Sequence, residues 1–142
     1  MTVGSGVDLI EIDRFEREAA RRGDALFEEL FSERERAWCR RRRRPAEGHA
    51  MLYAAKEGLF KALGTGKVGR MAWHDVELAW PEGAAAPAMT LAGVTAEAAA
   101  SMGVAGVHVA VAATRAHAVA WVVLEGERQQ AQGGRSGDAI RL

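Results

Sequence analysis

The most apolar window of the chain, HVAVAATRAHAVAWVVL from His108 to Leu124, is broken near its middle by Arg115 and His117. Neither half approaches the roughly 20 apolar residues that a membrane-crossing helix needs. Both halves are short and rich in valine, so the window reads as two strands joined by a tight turn around Thr114–Ala116. That commits this end of the chain to a sheet. At 142 residues, with 49% hydrophobic and 27% charged content, one domain has enough material for a core without disulfides. The 19 basic and 19 acidic residues cancel, so no overall field draws the chain to nucleic acid or to a membrane surface. The single cysteine, Cys39, excludes an internal disulfide framework and suits a reducing compartment. The opening MTVGSGVDLIEIDRF lacks the basic start and long apolar run of a signal peptide, so a cytoplasmic setting is expected.

Upstream, Val3 to Ile12 is rich in β-branched residues and reads as a strand. RFEREAARRGDALFEELF is helical, with a break at Gly23. SERE at Ser32–Glu35 matches a capping box, and the helix it opens runs into the arginines Arg40–Arg44 and stops at Pro45. Basic residues complement a helix C-terminus, so the run reads as a solvated end; phosphate binding is the sharper alternative. The next helix spans about Gly48 to Leu63, with Leu52, Ala55, Leu59, Ala62 and Leu63 as its buried stripe. Gly64 suits a left-handed cap, and Gly66 and Gly69 keep the following turn open. WHDVELAW alternates, with Val76, Leu78 and Trp80 on one face, and reads as a strand. PAMTLAG adds a short strand, Thr95 caps an AEAAASM helix, and Gly103 ends it. After Glu125 the chain is too polar to bury much. The organisation is therefore a domain over 1–125 and a disordered tail over 126–142. The order β-α-α-α-β-β-α-β-β predicts an α+β fold with a mostly antiparallel sheet packed against helices.

Some residue clusters fail as sites. GTGKVG is no P-loop, because Lys61 stands where that motif needs glycine and Val68 where it needs serine or threonine. No zinc pattern is present with one cysteine and no helical histidine pair. His49, His74, His108 and His117 are scattered and read as structural or surface residues, and Trp38, Trp73, Trp80 and Trp121 read as core. Cys39 is either an activated thiol or an inert buried one, and the lack of an evident base favours the second.

Asp8 is harder to dismiss, because a carboxylate within the apolar GVDLIEIDRF strand must be paired, hydrogen-bonded or bound to a metal. One reading is an ion pair with a nearby arginine. The other joins Asp8 to Glu57, in LYAAKEGLFKALGTG, as two carboxylates of a magnesium site, with Lys61 meeting the substrate phosphates. Against this stands the plainer reading of Glu57 and Lys61 as a surface i,i+4 pair, worth only about 0.2–0.5 kcal/mol.

Together the two segments resemble the holo-acyl-carrier-protein synthase family, the small 4′-phosphopantetheinyl transferases. The family's G-x-D-x-x-x-x-x-R-F segment is present as Gly6, Asp8, Arg14 and Phe15. Its F-A-A-K-E-x-x-x-K-A-x-G-x-G helix is present as YAAKEGLFKALGTG, Tyr53 to Gly66. The resemblance implies transfer of 4′-phosphopantetheine from coenzyme A to a serine of an apo acyl carrier protein. It implies magnesium held by Asp8 and Glu57, with Glu57 and Lys61 catalytic. Lys61 and the Gly64–Thr65–Gly66 turn would bind coenzyme A, and Arg14 would face the acidic carrier protein. It also implies a homotrimer with sites between subunits.

Two departures stand out. Where family members carry S-x-S-H on the first strand of the closing hairpin, this chain has Ala110, Ala112 and Ala113. Leu52 occupies the place of the arginine before the F-A-A-K-E segment. In the family those groups help hold the nucleotide's 3′-phosphate, so a flattened preference for coenzyme A over its dephospho form is expected unless the arginine run reaches that phosphate. Three readings follow: a transferase with altered nucleotide binding, an impaired relic that binds a carrier protein, or a metal-dependent enzyme of another reaction type on a related phosphorylated or carrier-bound substrate. Retention of Asp8, Glu57 and Lys61 favours the first.

Overall fold

The computed structural model describes residues 1–128. In chain order the elements are β1 (Thr2–Glu11), α1 (Ile12–Arg22), α2 (Asp24–Leu30), α3 (Glu33–Arg40), α4 (Pro45–Ala62), a 3-10 turn (Trp73–Asp75), β2 (Val76–Ala79), β3 (Ala88–Leu91), α5 (Gly93–Ser101), β4 (Val104–Ala113) and β5 (His117–Gly126). They form a three-stranded sheet in the order β1-β5-β4 and a two-stranded sheet of β2 and β3. Every pairing is antiparallel, in keeping with the expected α+β class. One helix more is present than the predicted order contains, because Gly23, at φ 73°, cuts the first helical stretch into α1 and α2. β5 runs to Gly126, whose amide donates to the Met1 carbonyl at 2.9 Å. The expected tail lies outside the described residues from 129 onward.

Three local expectations are corrected. α4 starts at Pro45 rather than Gly48: a proline at the first helical position lacks only an amide that would be orphaned there, and its φ is preset for the helix. β2 is confined to Val76–Ala79, because Asp75 Oδ2 accepts from the Ala72 amide at 3.0 Å and holds Trp73–Asp75 in a turn. Trp80 lies just beyond the strand, packs against the core and stacks on Trp38 at 4.1 Å and 7°. Thr95 is not the cap of α5. The helix begins at Gly93, and the buried Thr95 hydroxyl donates across the fold to Asp75 Oδ2 at 2.8 Å.

α4 is the axis of the domain. Its predicted stripe, Leu52, Ala55, Leu59 and Ala62 with Leu63 beyond, is buried, but so are Ala50, Met51, Ala54 and Phe60 around the circumference. The sheet covers one side and the shorter helices the other. On the helical side lies Lys56, fully buried. Its Nζ donates to Glu35 Oε1 at 2.8 Å, to the Leu30 carbonyl at 2.8 Å and to the Trp73 carbonyl at 3.2 Å, which uses all three ammonium hydrogens. Glu35 is buried too, and it belongs to the predicted capping box: the Ser32 amide donates to Glu35 Oε1 at 2.9 Å and the Glu35 amide donates to Ser32 Oγ at 3.2 Å. Its second oxygen accepts from the Leu78 amide at 3.2 Å. Burial pulls the Lys56 ammonium below its ordinary pKa, against the opposing pull of Glu35.

Breaking a buried pair by removing one partner leaves an uncompensated charge and costs about 3–5 kcal/mol. Lys56→Met should lose stability of that order in urea unfolding, and adding Glu35→Gln should recover part of it by removing the stranded charge. A loss below about 1 kcal/mol, the range of an exposed pair, would show that the junction does not depend on this contact.

Candidate active site

The inward face of β1 carries glycine where it crosses α4. A Cβ on Gly6 would run into the Gly58 carbonyl and the Ala62 amide, and one on Gly4 into the Ala62 carbonyl. On the helix side, a Cβ on Gly58 would lie 3.2 Å from Val122 Cγ2. Strand and helix thus meet without side-chain spacers. Asp8, two residues after Gly6, shares that face and is brought down onto the helix. Lys61 Nζ donates to Asp8 Oδ1 at 2.6 Å and to the Val7 carbonyl at 3.2 Å. The Asp8 side chain is 13% exposed and that of Lys61 50%. The partner of Asp8 is therefore a lysine rather than an arginine, and the Glu57–Lys61 surface pair is absent.

Glu57 is held by another group. The Tyr53 hydroxyl, one turn earlier on α4, donates to Glu57 Oε1 at 3.0 Å. Burial, then the negative charges of Glu57 and of Asp8, push the Tyr53 phenol above its ordinary pKa. The structure therefore sets Asp8 against Lys61 and Glu57 against Tyr53, with Glu57 and Lys61 one turn apart on α4. Tyr53 is the member that sequence reasoning missed, although its i,i+4 spacing from Glu57 was the available signal.

Beyond Lys61 the chain turns through Gly64 at φ 82° and Gly66 at φ 67°, with the exposed Thr65 between them. This left-handed backbone, rather than crowding, is what calls for glycine, since a Cβ at either position would meet nothing within 4 Å. Arg14 is exposed on α1 and lines an open groove of about 660 Å³ together with Phe15, Glu18, Ile10, Tyr53 and His117. The groove adjoins the carboxylates through Tyr53.

The arginine run is partly committed. Arg40 pairs with Glu33, while Arg42 and Arg44 both pair with Glu47. Arg42 also lies 4.5 Å over the Trp38 ring, and Arg44 donates to the Arg115 carbonyl at 3.0 Å. Arg43, Arg44 and Arg115 line an open pocket of about 430 Å³ beside the hairpin turn. Ala110 and Ala112 sit opposite Trp121 and Val119 on the exposed face of the sheet. Trp121 is 54% exposed, which corrects its reading as core. Leu52 is fully buried.

Two remaining candidates are structural. Cys39 is fully buried, and burial first of all pushes its thiol up to about 12, so it is inert as a nucleophile. His49 packs beside both Phe27 and Phe31, at 4.5 and 5.2 Å, and burial lowers its pKa to about 4. No group of three or more histidine, cysteine, aspartate or glutamate residues able to hold a metal occurs among the described residues. No described helix is long and apolar enough to cross a membrane.

Residues 4–121 match the model of the 4′-phosphopantetheinyl transferase superfamily. The chain belongs to that superfamily. It is 34% identical to a holo-[acyl-carrier-protein] synthase of Koribacter versatilis over 125 residues, covering 88% of this chain and 99% of that protein. A holo-[acyl-carrier-protein] synthase of Desulforudis audaxviator is 47% identical over 78 residues. That match covers 55% of this chain and 59% of the relative's length. Among solved structures, a holo-(acyl-carrier-protein) synthase from Bacillus anthracis in complex with CoA (3′,5′-ADP) superposes with a TM-score of 0.71 at 29% identity, covering 89% of this chain and 99% of that one.

Proposed function

We propose that this chain transfers the 4′-phosphopantetheine group of coenzyme A to a serine hydroxyl of an apo acyl carrier protein, with magnesium at Asp8 and Glu57. The observation that carries this reading is the Asp8–Lys61 pair at the β1–α4 crossing, with Glu57 one turn before Lys61 on α4, within a superfamily match over residues 4–121. The donor types suit magnesium, because two carboxylates would leave positions for phosphate oxygens and water. When bound, the metal supplies charge neutralisation on the pyrophosphate.

In this reading the serine oxygen forms a bond to the phosphorus on the pantetheine side. The bridging P–O bond breaks, and adenosine 3′,5′-bisphosphate leaves with its electron pair. Lys61 lies half-exposed beside Asp8 and offers its ammonium to phosphate oxygens. The serine proton passes to Glu57 through a water. The Gly64–Thr65–Gly66 turn follows the end of α4, three residues after Lys61, where exposed backbone can approach a nucleotide. Arg14 stands over the groove that reaches Tyr53, placed to meet an acidic carrier protein. A cytoplasmic setting accords with the single buried thiol.

Intact-mass measurement after incubation with coenzyme A, magnesium and an apo carrier protein tests the activity, and the expected result is one added phosphopantetheine. Glu57→Gln should abolish the transfer with an unchanged melting temperature, because a neutral amide is a poor magnesium ligand. Near-normal turnover in that variant would sink the metal assignment.

The Arg43–Arg44–Arg115 pocket takes over the 3′-phosphate contacts that Leu52 and the hairpin alanines no longer provide. Guanidinium groups suit that role, and hydrogen bonds to charged groups are worth roughly 1.5–3 kcal/mol each. Wild type should therefore prefer coenzyme A over dephospho-coenzyme A in kcat/KM. Arg43→Ala with Arg115→Ala should flatten the preference by about 10-fold or more. A preference that survives both changes, or none in wild type, would refute the assignment.

The same family reading includes a homotrimer. Val7, Leu9 and Trp121 are 53%, 63% and 54% exposed on one face of the three-stranded sheet, with Val7 opposite Trp121 across the β1–β5 pairing. A contiguous exposed apolar face of this kind marks a contact surface. Light scattering should report a trimer at micromolar concentration and a monomer for Trp121→Glu. A monomeric wild type would remove the assembly.

A further inference from the structure

Glu57 stands at i+4 from Tyr53 and at i−4 from Lys61 on α4, so two partners compete for one carboxylate. Only the first contact is made: Tyr53 donates to Glu57 Oε1, while Lys61 turns to Asp8. The hydroxyl is held by its ring. Phe15 of α1 lies against it at 5.4 Å and 33°, and Trp73 of the 3-10 turn at 5.3 Å and 45°. These contacts come from two other elements, so the hydroxyl's position does not depend on Glu57.

We propose that Tyr53 is a positioning residue of this site: its clamped hydroxyl keeps the Glu57 carboxylate from pairing with Lys61, leaving one Glu57 oxygen for the metal and the lysine for the phosphates. The inference rests on the magnesium reading above. A glutamate without this partner is free to close onto Lys61, which would withdraw ligand and ammonium together. A hydrogen-bonding neighbour that orients a ligating side chain typically contributes about 10- to 100-fold to metal affinity or activity.

The test compares wild type with Tyr53→Phe and Glu57→Gln. Mn²⁺ binding is measured by electron paramagnetic resonance in the presence of coenzyme A without carrier protein, beside the melting temperature and the magnesium dependence of kcat. Tyr53→Phe keeps the ring contacts, so it should melt with wild type and bind Mn²⁺ about 10- to 100-fold more weakly. Excess magnesium should restore its kcat but not that of Glu57→Gln. Wild-type Mn²⁺ affinity in Tyr53→Phe, with binding lost in Glu57→Gln, would overturn the role of Tyr53 and leave the metal site standing. Undiminished binding in Glu57→Gln would remove the metal site itself, and the proposal with it. A Tyr53→Phe defect that magnesium does not restore, with a lowered melting temperature, would mark the hydroxyl as a packing element and overturn its positioning role.

Discussion

The buried contact between Lys56 and Glu35 decides how α4 is rotated within the fold, and most of the molecule is built around that rotation. The ammonium has three hydrogens, and its three acceptors come from the end of α2, the start of α3 and the turn at Trp73. An apolar side chain in the same place would tolerate a slide or a twist of the helix, whereas three directed hydrogen bonds admit one arrangement. Successive helical residues point about 100° apart. Pinning Lys56 into the helical layer therefore aims its neighbour Glu57 elsewhere, toward Tyr53 and the β1 side. The capping box contributes to the same junction, because the oxygen that accepts from Ser32 also accepts from Lys56.

The opposite side of α4 is governed by absence of side chains. Gly4, Gly6 and Gly58 let the β1 backbone lie directly on the helix. Each glycine in regular structure costs roughly 0.5–1 kcal/mol relative to alanine, and the close approach is what places Asp8 beside Lys61. A methyl group at position 6 would lift the strand off the helix and carry Asp8 away with it. Buried rotation on one side and backbone contact on the other thus fix two carboxylates and a lysine drawn from segments some 50 residues apart, as the separation of Asp8 and Lys61 shows.

Much of this was legible in the residues because it is local. The capping box at Ser32, the break at Gly23, the α4 stripe and the closing hairpin all follow from short-range patterns, and the structure contains each of them. The two motifs also pointed to Asp8, Glu57 and Lys61, and the structure pairs Asp8 with Lys61 across the β1–α4 crossing. What could not be read is what depends on distant partners. Lys56 looks like a solvated lysine until Glu35 arrives from another helix. Asp75 ends β2 early and binds Thr95 from across the fold, so neither the strand length nor the α5 cap follows from neighbours in sequence. Trp121 has apolar neighbours yet points outward, because strand alternation places it on the face shared with Val7.

That outward face links the departures in the hairpin to the rest of the molecule. β1 alternates, so the residues flanking Asp8, Val7 and Leu9, are the ones that emerge on the far side of the sheet. Ala110 and Ala112 lie on that side, opposite Trp121 and Val119, and their methyl groups are too small to cover the indole. Serines there would have added hydroxyls to this face; alanines leave it apolar. Alanines at 110 and 112 thus keep this side of the sheet apolar around the exposed Trp121. Meanwhile, guanidinium groups collect at the tip of that hairpin, where Arg115 meets Arg43 and Arg44. Under the proposed function, the hairpin would divide its roles, its turn meeting an anion and its strand meeting a neighbouring subunit.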